Sequence, residues 1–283
     1  MHTWPALVVR FPPMGTAAGH VSLCDLVAAE LDGLDLVAIV EHSDDEWEVF
    51  FRETDARHDA AGLLEGAFGG MGLSVSDLDV PDGDWARRTQ AELGAIHVGQ
   101  LTVAPPWDDA AKTPAAGTII IEPAMGFGSG HHATTRLCLA ALQRLDLRQR
   151  RVLDVGTGSG VLALAAARLG AKEVIGVDVD EDALDNARTN ATLNGSPSNL
   201  QLANADFRAG TLAPADVVVA NLTGGMLAAG AADLVRLVRR PGTLILSGIT
   251  DDEAERVAGV FPAHARQDWR AAEDGWVAFS FSL

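Results

Sequence analysis

The stretch that most limits what this chain can fold into is Arg-Val-Leu-Asp-Val-Gly-Thr-Gly-Ser-Gly at residues 151–160. Val152, Leu153 and Val155 read as a short buried strand bounded by polar and glycine positions. The run that follows, Leu162 to Leu169, is rich in Ala and Leu and favours helix. Between them lies a turn with Gly156, Gly158 and Gly160, preceded by Asp154. Glycine accepts positive φ and lets a ligand approach the backbone with no Cβ in the way. The start of a helix offers unpaired N–H groups. Strand, tight turn and helix start together make a cofactor seat.

Spacing narrows the cofactor. A dinucleotide fingerprint has its third glycine three residues after the second. Here it comes two residues after, and position 161 is Val. With Asp154 the pattern is D-x-G-x-G-x-G, which resembles the first motif of Rossmann-like S-adenosylmethionine (SAM)-dependent methyltransferases. Many α/β proteins carry a glycine turn for packing alone, so the rest of the chain must supply context. A second strand, residues 173–178, ends in Asp178, 22 residues beyond Gly156. An acid about 20 residues on can accept both ribose hydroxyls of an adenosine. The plainer role for such an acid is a cap for helix 181–194, but Asp180 suits that better. After strand 200–203 come Asp206 and Phe207, able to meet an adenine edge and face, or to form an ordinary solvated turn. Strand 215–220 delivers Asn221, whose side-chain carbonyl can orient an incoming amine or simply bond its own turn. Helix 226–239, strand 243–247, a helix from Thr250 to Phe261 and strands 264–271 and 275–282 complete the pattern. Seven strands closing on a hairpin predict an α/β methyltransferase sheet rather than a dehydrogenase one.

Upstream, strand 119–123 runs into a second glycine-rich stretch, residues 125–135, which opens a helix over 134–145. His131 and His132 lack the i+4 histidine or nearby cysteine of known zinc spacings, so no metal is expected. Thr134 or Thr135 could cap the helix. Residues 5–80 give the order β-α-β-β-α-β, with Ser22 as a helix cap, which predicts a small α+β ferredoxin-like domain. Residues 82–117 read as a linker with a short helix over 85–93, a hairpin over 95–103 and a proline-rich segment. The expected organisation is therefore 1–81, a linker at 82–117, and a catalytic domain over 118–283.

Charge bears on partners. The chain carries a formal net charge of −18, and its first hundred residues hold 18 acidic side chains against five arginines. Direct nucleic-acid binding needs a basic patch, so none is expected. A cationic partner would be steered toward such a surface, although acidity also serves solubility alone. Two cysteines, Cys24 and Cys138, sit far apart in apolar helical patterns and read as free thiols of a reducing cytosol. No run of about 18 apolar residues and no signal-like N-terminus are present, so a cytoplasmic protein without a membrane contact is expected.

Several motifs stand in one order: Asp84-Trp85-Ala-Arg, Val103-Ala-Pro-Pro-Trp107, Glu122-Pro-Ala-Met-Gly-Phe-Gly-Ser-Gly-His-His-Ala-Thr-Thr135, Leu153-Asp-Val-Gly-Thr-Gly-Ser-Gly160, Gly176-Val-Asp178, Val219-Ala-Asn-Leu222 and Leu246-Ser-Gly-Ile249. Together they resemble the ribosomal protein L11 methyltransferase family, PrmA. The resemblance runs from about residue 82 to the end; residues 1–80 match in expected topology only. It implies transfer of methyl groups from SAM to lysine side chains or the N-terminal amine of ribosomal protein L11, without a metal. It implies that the N-terminal domain recognises the substrate protein. It also implies SAM contacts at Thr135, Gly156, Asp178 and Asn221, to which the residue patterns add Phe127, Asp154, Gly158, Gly160 and Asp206. Ser129, Ala133 and the Leu222-Thr223-Gly224 run depart from the family pattern near the acceptor site. Methylation of another protein lysine or a small molecule, and a catalytically silent SAM-binding assembly module, are the alternatives.

Overall fold

A computed structural model describes residues 3–12, 23–24, 26–27, 30–31, 34, 36–43, 45–81, 94–123, 132–261 and 265–283. It divides into two units, Met1–Glu92 and Leu93–Leu283.

The first unit is an antiparallel sheet of β1 (Thr3–Arg10), β2 (Leu36–Ser43), β3 (Glu46–Phe51) and β4 (Ser74–Pro81), in the order β2-β3-β1-β4. Side chains alternate across a strand, so Leu7, Val9 and Phe11 share one face with Trp47, Val49 and Phe51. Helical residues Leu23, Val27 and Leu31 and the helix Thr54–Phe68, through Ala60, Leu64 and Phe68, pack on that face. The order of elements is the expected one; Ser22, the expected cap, lies outside the described residues.

The second unit opens with β5 (Ile96–Val98), β6 (Leu101–Ala104) and β7 (Thr118–Ile120), a three-stranded sheet in that order. The hairpin read as part of a linker is core: Leu101, Val103 and Ile119 are buried with Leu139 and Leu142 of helix Ala133–Leu142 and with helix Val161–Arg168. Its prolines lie just beyond β6, where they end a strand rather than mark a loose connection. The expected helix over 85–93 and the Asp84-Trp85 motif lie outside the described residues.

The larger sheet contains β8 (Arg151–Val155), β9 (Glu173–Asp178), β10 (Leu200–Asn204), β11 (Ala215–Asn221), β12 (Val238–Thr250), β13 (Arg266–Glu273) and β14 (Trp276–Ser282). Their order is β10-β9-β8-β11-β12-β14-β13. The first five run parallel, and β14 is antiparallel to both neighbours. Parallel sheets are covered on both faces: Val217, Val219 and Ile245 point into one core, Val218, Ala220, Leu244 and Leu246 into the other. The chain winds outward from β8 to β10, then crosses back to β11, so the strand order reverses between β8 and β11.

One expected element is broken. The single helix read over 226–239 is two short helices, Gly224–Ala229 and Ala231–Arg236. They part at Gly230, where a Cβ would stand 2.6 Å from the Phe207 ring.

Candidate cofactor and acceptor site

The reversal places three strand ends side by side. Val155 pairs with Val177 on one side and Ala220 on the other. Asp178 and Asn221 therefore leave the sheet flanking Gly156, one from each neighbouring strand. Ligands of open α/β sheets bind at such a point.

The turn itself is fixed by its own polar groups. Gly156, Gly158 and Gly160 all adopt positive φ, at 68°, 52° and 79°. Asp154 is buried, and its Oδ2 accepts from Thr157 Oγ1 at 2.7 Å and from Ala163 N at 3.1 Å. Asp154 thus ties the turn to the first residues of the helix that follows, and its other oxygen, Oδ1, has no partner among the described residues. Burial pushes its carboxyl up to about 7, with Asp178 adding to the rise and the two hydrogen bonds opposing it. Gly176 in β9 leaves room for Thr157, whose Oγ1 would lie 2.7 Å from an added Cβ.

Asp178 accepts from Gly158 N at 2.9 Å through one oxygen and from Asp180 N at 3.2 Å through the other. A carboxylate offers about four acceptor positions, so capacity remains at this strand end for hydroxyl donors. Asp180 caps the helix Glu181–Leu193, as expected, by accepting from Asp182 N.

Asn221 is pinned from the opposite side. Its Nδ2 donates to Thr134 Oγ1 at 3.2 Å, and Thr134 Oγ1 lies 2.8 Å from His132 Nδ1. His132 Nδ1 also accepts from Thr134 N as the helix cap, so it is the unprotonated nitrogen and accepts a hydrogen bond from the Thr134 hydroxyl. Burial, and then the nearby Arg136, hold the His132 imidazole below its ordinary value of 6.5. The chain of bonds orients the Asn221 amide and leaves its Oδ1 without a partner among the described residues. Trp276 stands edge-on to His132, with ring centroids 4.7 Å apart. Arg136 holds the adjoining hairpin through Glu273 and Asp274, each at 2.7 Å.

Two glycines from different strand ends let the segment after Asn221 nest here. A Cβ at Gly156 would lie 2.4 Å from Leu222 Cδ2, and one at Gly248 only 2.2 Å from Leu222 O.

Some expected site residues fall elsewhere. Of the two adjacent threonines it is Thr134 that meets Asn221, while Thr135 is buried in the helix start. Asp206 sits beside the Asp178 strand end, but it caps its own turn and both its oxygens bond the Arg208 guanidinium. Arg208 holds the Asp206 carboxyl below its usual range. Phe207 is 6% exposed and packs in the core, so it does not present a face to a ligand. Its burial follows from the space left at Gly230. Phe127 and His131 lie outside the described residues. His132 and Thr134 belong to the Glu122–Thr135 motif and Gly248 to the Leu246–Ile249 motif, but the sequence assigns no individual contact to these three or to Trp276; His-x-Thr at a helix start is the available signal for the first two.

The residues present suit SAM. The positive-φ turn admits backbone approach, the Asp178 carboxylate keeps acceptor capacity for the hydroxyls of an adenosine ribose, and an amide oxygen stands at the strand reversal. The sheet order, the glycine turn after its first strand, the acid closing the second and the amide closing the fourth define a SAM-dependent methyltransferase of the Rossmann-like class. A family model described as ribosomal protein L11 methyltransferase (PrmA) matches residues 32–283. The chain belongs to this family. A relative from Ralstonia nicotianae, named ribosomal protein L11 methyltransferase, is 39% identical over 225 residues, covering 77% of this chain and 74% of its own. One of the same name from Pseudomonas aeruginosa is 40% identical over 205 residues, covering 71% and 68%. The crystal structure of a ribosomal protein L11 methylase from Lactobacillus delbrueckii subsp. bulgaricus is similar with a TM-score of 0.60 at 27% identity, over 67% of this chain and 97% of that one.

Proposed function

We propose that this enzyme transfers methyl groups from SAM to amino groups of ribosomal protein L11, on lysine side chains, the N-terminal amine or both. The observation that carries this reading is the pinned Asn221 amide, whose Oδ1 is held as an acceptor beside the glycine turn. When bound, SAM supplies a methyl on a sulfonium that is already electrophilic. The residues around the turn, Gly156, Gly158, Gly160, Asp154 and Asp178, would hold it.

The protein's own task is alignment. An amine attacks only when neutral, and a lysine with an ordinary value near 10.4 must lose its proton first. Asn221 Oδ1 accepts one N–H of the neutral amine and so turns the lone pair toward the methyl. Neutral His132 keeps the Thr134 hydroxyl donating to it, which in turn keeps Asn221 Nδ2 committed and Oδ1 available. The Trp276 ring walls this corner and excludes water, which favours the uncharged amine. Positioning of this kind accounts for much of the rate in transfers that need little other chemistry.

Residues 1–81 carry substrate recognition in this reading. They hold fifteen acidic side chains against three arginines, which suits a basic ribosomal protein. We place the activity in the cytoplasm, without direct nucleic-acid contact; no described helix is long and apolar enough to cross a membrane.

Incubating the enzyme with labelled SAM and unmethylated L11 tests the substrate: label on L11 amines is expected, and its absence with label on another protein overturns it. An Asp178→Ala variant is expected to lose SAM affinity by about tenfold or more, as one strong charged hydrogen-bonding partner is removed. Unchanged affinity by titration calorimetry would reject the cofactor seat.

A further inference from the structure

Helix Glu181–Leu193 carries Asn190 and its C-cap residue is Asn194. Asn190 is 0% exposed, an unusual place for an amide unless its bonds are made. They are made to two distant backbone segments. Its Nδ2 donates to Ser159 O in the glycine turn at 2.9 Å and lies 3.2 Å from Asn186 Oδ1, while its Oδ1 accepts from Glu122 N at 2.8 Å. Asn194 treats the same strand in the same way. Its Oδ1 accepts from Ile120 N at 3.0 Å, and its Nδ2 donates to Ile120 O at 2.6 Å and to Asn190 O at 2.8 Å.

The geometry explains why two side chains can serve as a strand. Alternate residues of a strand turn their N–H groups to opposite edges: Ile121 N bonds Ala104 O in β6, while Ile120 and Glu122 face the other way. Four residues of helix rise about 6 Å and two of strand about 6.6 Å, so amides at i and i+4 meet backbone at j and j+2. The pair closes an edge that would otherwise be left unpaired.

Asn190 does more than Asn194, because it also grips the turn. Three consecutive turn residues are held by the single β9–helix unit: Gly158 N by Asp178, Ser159 O by Asn190, and Gly160 by close packing, with Ala187 Cβ 3.2 Å from where a glycine Cβ would stand. We propose that Asn190 is a positioning residue for the cofactor, a buried amide that fixes the glycine turn against the end of the β7 segment. This rests on the turn being the SAM seat.

Asn194 supplies the control. Asn190→Ala and Asn194→Ala both remove bonds to the β7 segment, and both are expected to lower the thermal midpoint. Only Asn190→Ala should weaken SAM binding, by about tenfold in calorimetric Kd and in KM for SAM, with kcat at saturating SAM within about twofold. Asn194→Ala should keep SAM affinity within about twofold. Wild-type affinity in a folded Asn190→Ala protein, or equal weakening in both variants, overturns the proposal. Should Asn190→Ala fail to fold, Asn190→Ser, which is too short to reach both backbone partners, carries the same comparison. Asp178→Ala separates the two ideas: if it binds SAM normally the seat is wrong, and if it does not while Asn190→Ala does, only the positioning role fails.

Discussion

Asp154 shows how one buried carboxylate can shape a turn and still cost stability. Two donors hold Oδ2, no described residue holds Oδ1, and burial raises the carboxyl to about 7. An unfolded aspartate titrates near 3.9. Between about pH 4 and 7 the folded state therefore keeps a proton that the unfolded state has lost, and stability falls as pH rises through this window. Asp154→Asn removes the titration. Calorimetry of the SAM-free protein at pH 5 and pH 8 should show a smaller loss of thermal midpoint in the variant; equal losses would show that another group sets the slope. A neighbouring pair shows the limit of reading residues in sequence. Thr134 and Thr135 are equivalent as text, yet about 100° of helix rotation separates them. Which one meets Asn221 is settled by His132 taking the cap, a choice made in three dimensions.

Elements were legible where their pattern was local. The strand-turn-helix of residues 151–169, the acid closing β9 and the amide closing β11 all follow from periodicity and glycine spacing, and each stands where expected. The helix broken at Gly230 was not legible, because its cause is Phe207, 23 residues earlier in the chain and buried against it. The same contact explains why an aromatic that looked like a ligand face is core. Nor could spacing show that the hairpin over 96–104 belongs to a buried sheet, since its partners are Leu139 and Leu142 on a later helix. The start of helix Ala133–Leu142 is the element on which the acceptor corner depends. Thr134→Val keeps the shape and removes the hydroxyl that joins His132 to Asn221. Its kcat should fall by about tenfold or more with SAM affinity within about twofold, because alignment of the amine is lost and the seat is not. Single-turnover assays with calorimetry distinguish this from a general loss of folding.

For the whole molecule, a formal charge of −18 makes the surface a long-range attractor for cationic proteins. Screening shortens that reach from about 10 Å at 0.1 M salt to about 3 Å at 1 M. KM for L11 should therefore rise with salt while KM for SAM, held by close contacts, changes little; parallel rises in both would point to a salt effect on the fold instead. Arrangement of the strands has a different consequence. β14 lies between β12 and β13, pairing Ser282 with both Thr243 and Arg266, and Leu283 exchanges backbone bonds with Gly242. An inner strand of the sheet is thus made after its outer neighbour. β13 is made first and has no place to dock until its inner neighbour arrives, so the catalytic sheet closes only when residues 276–283 have cleared the exit tunnel. By this order of synthesis, the nascent chain cannot complete its active sheet while those residues are still inside the ribosome that is making it.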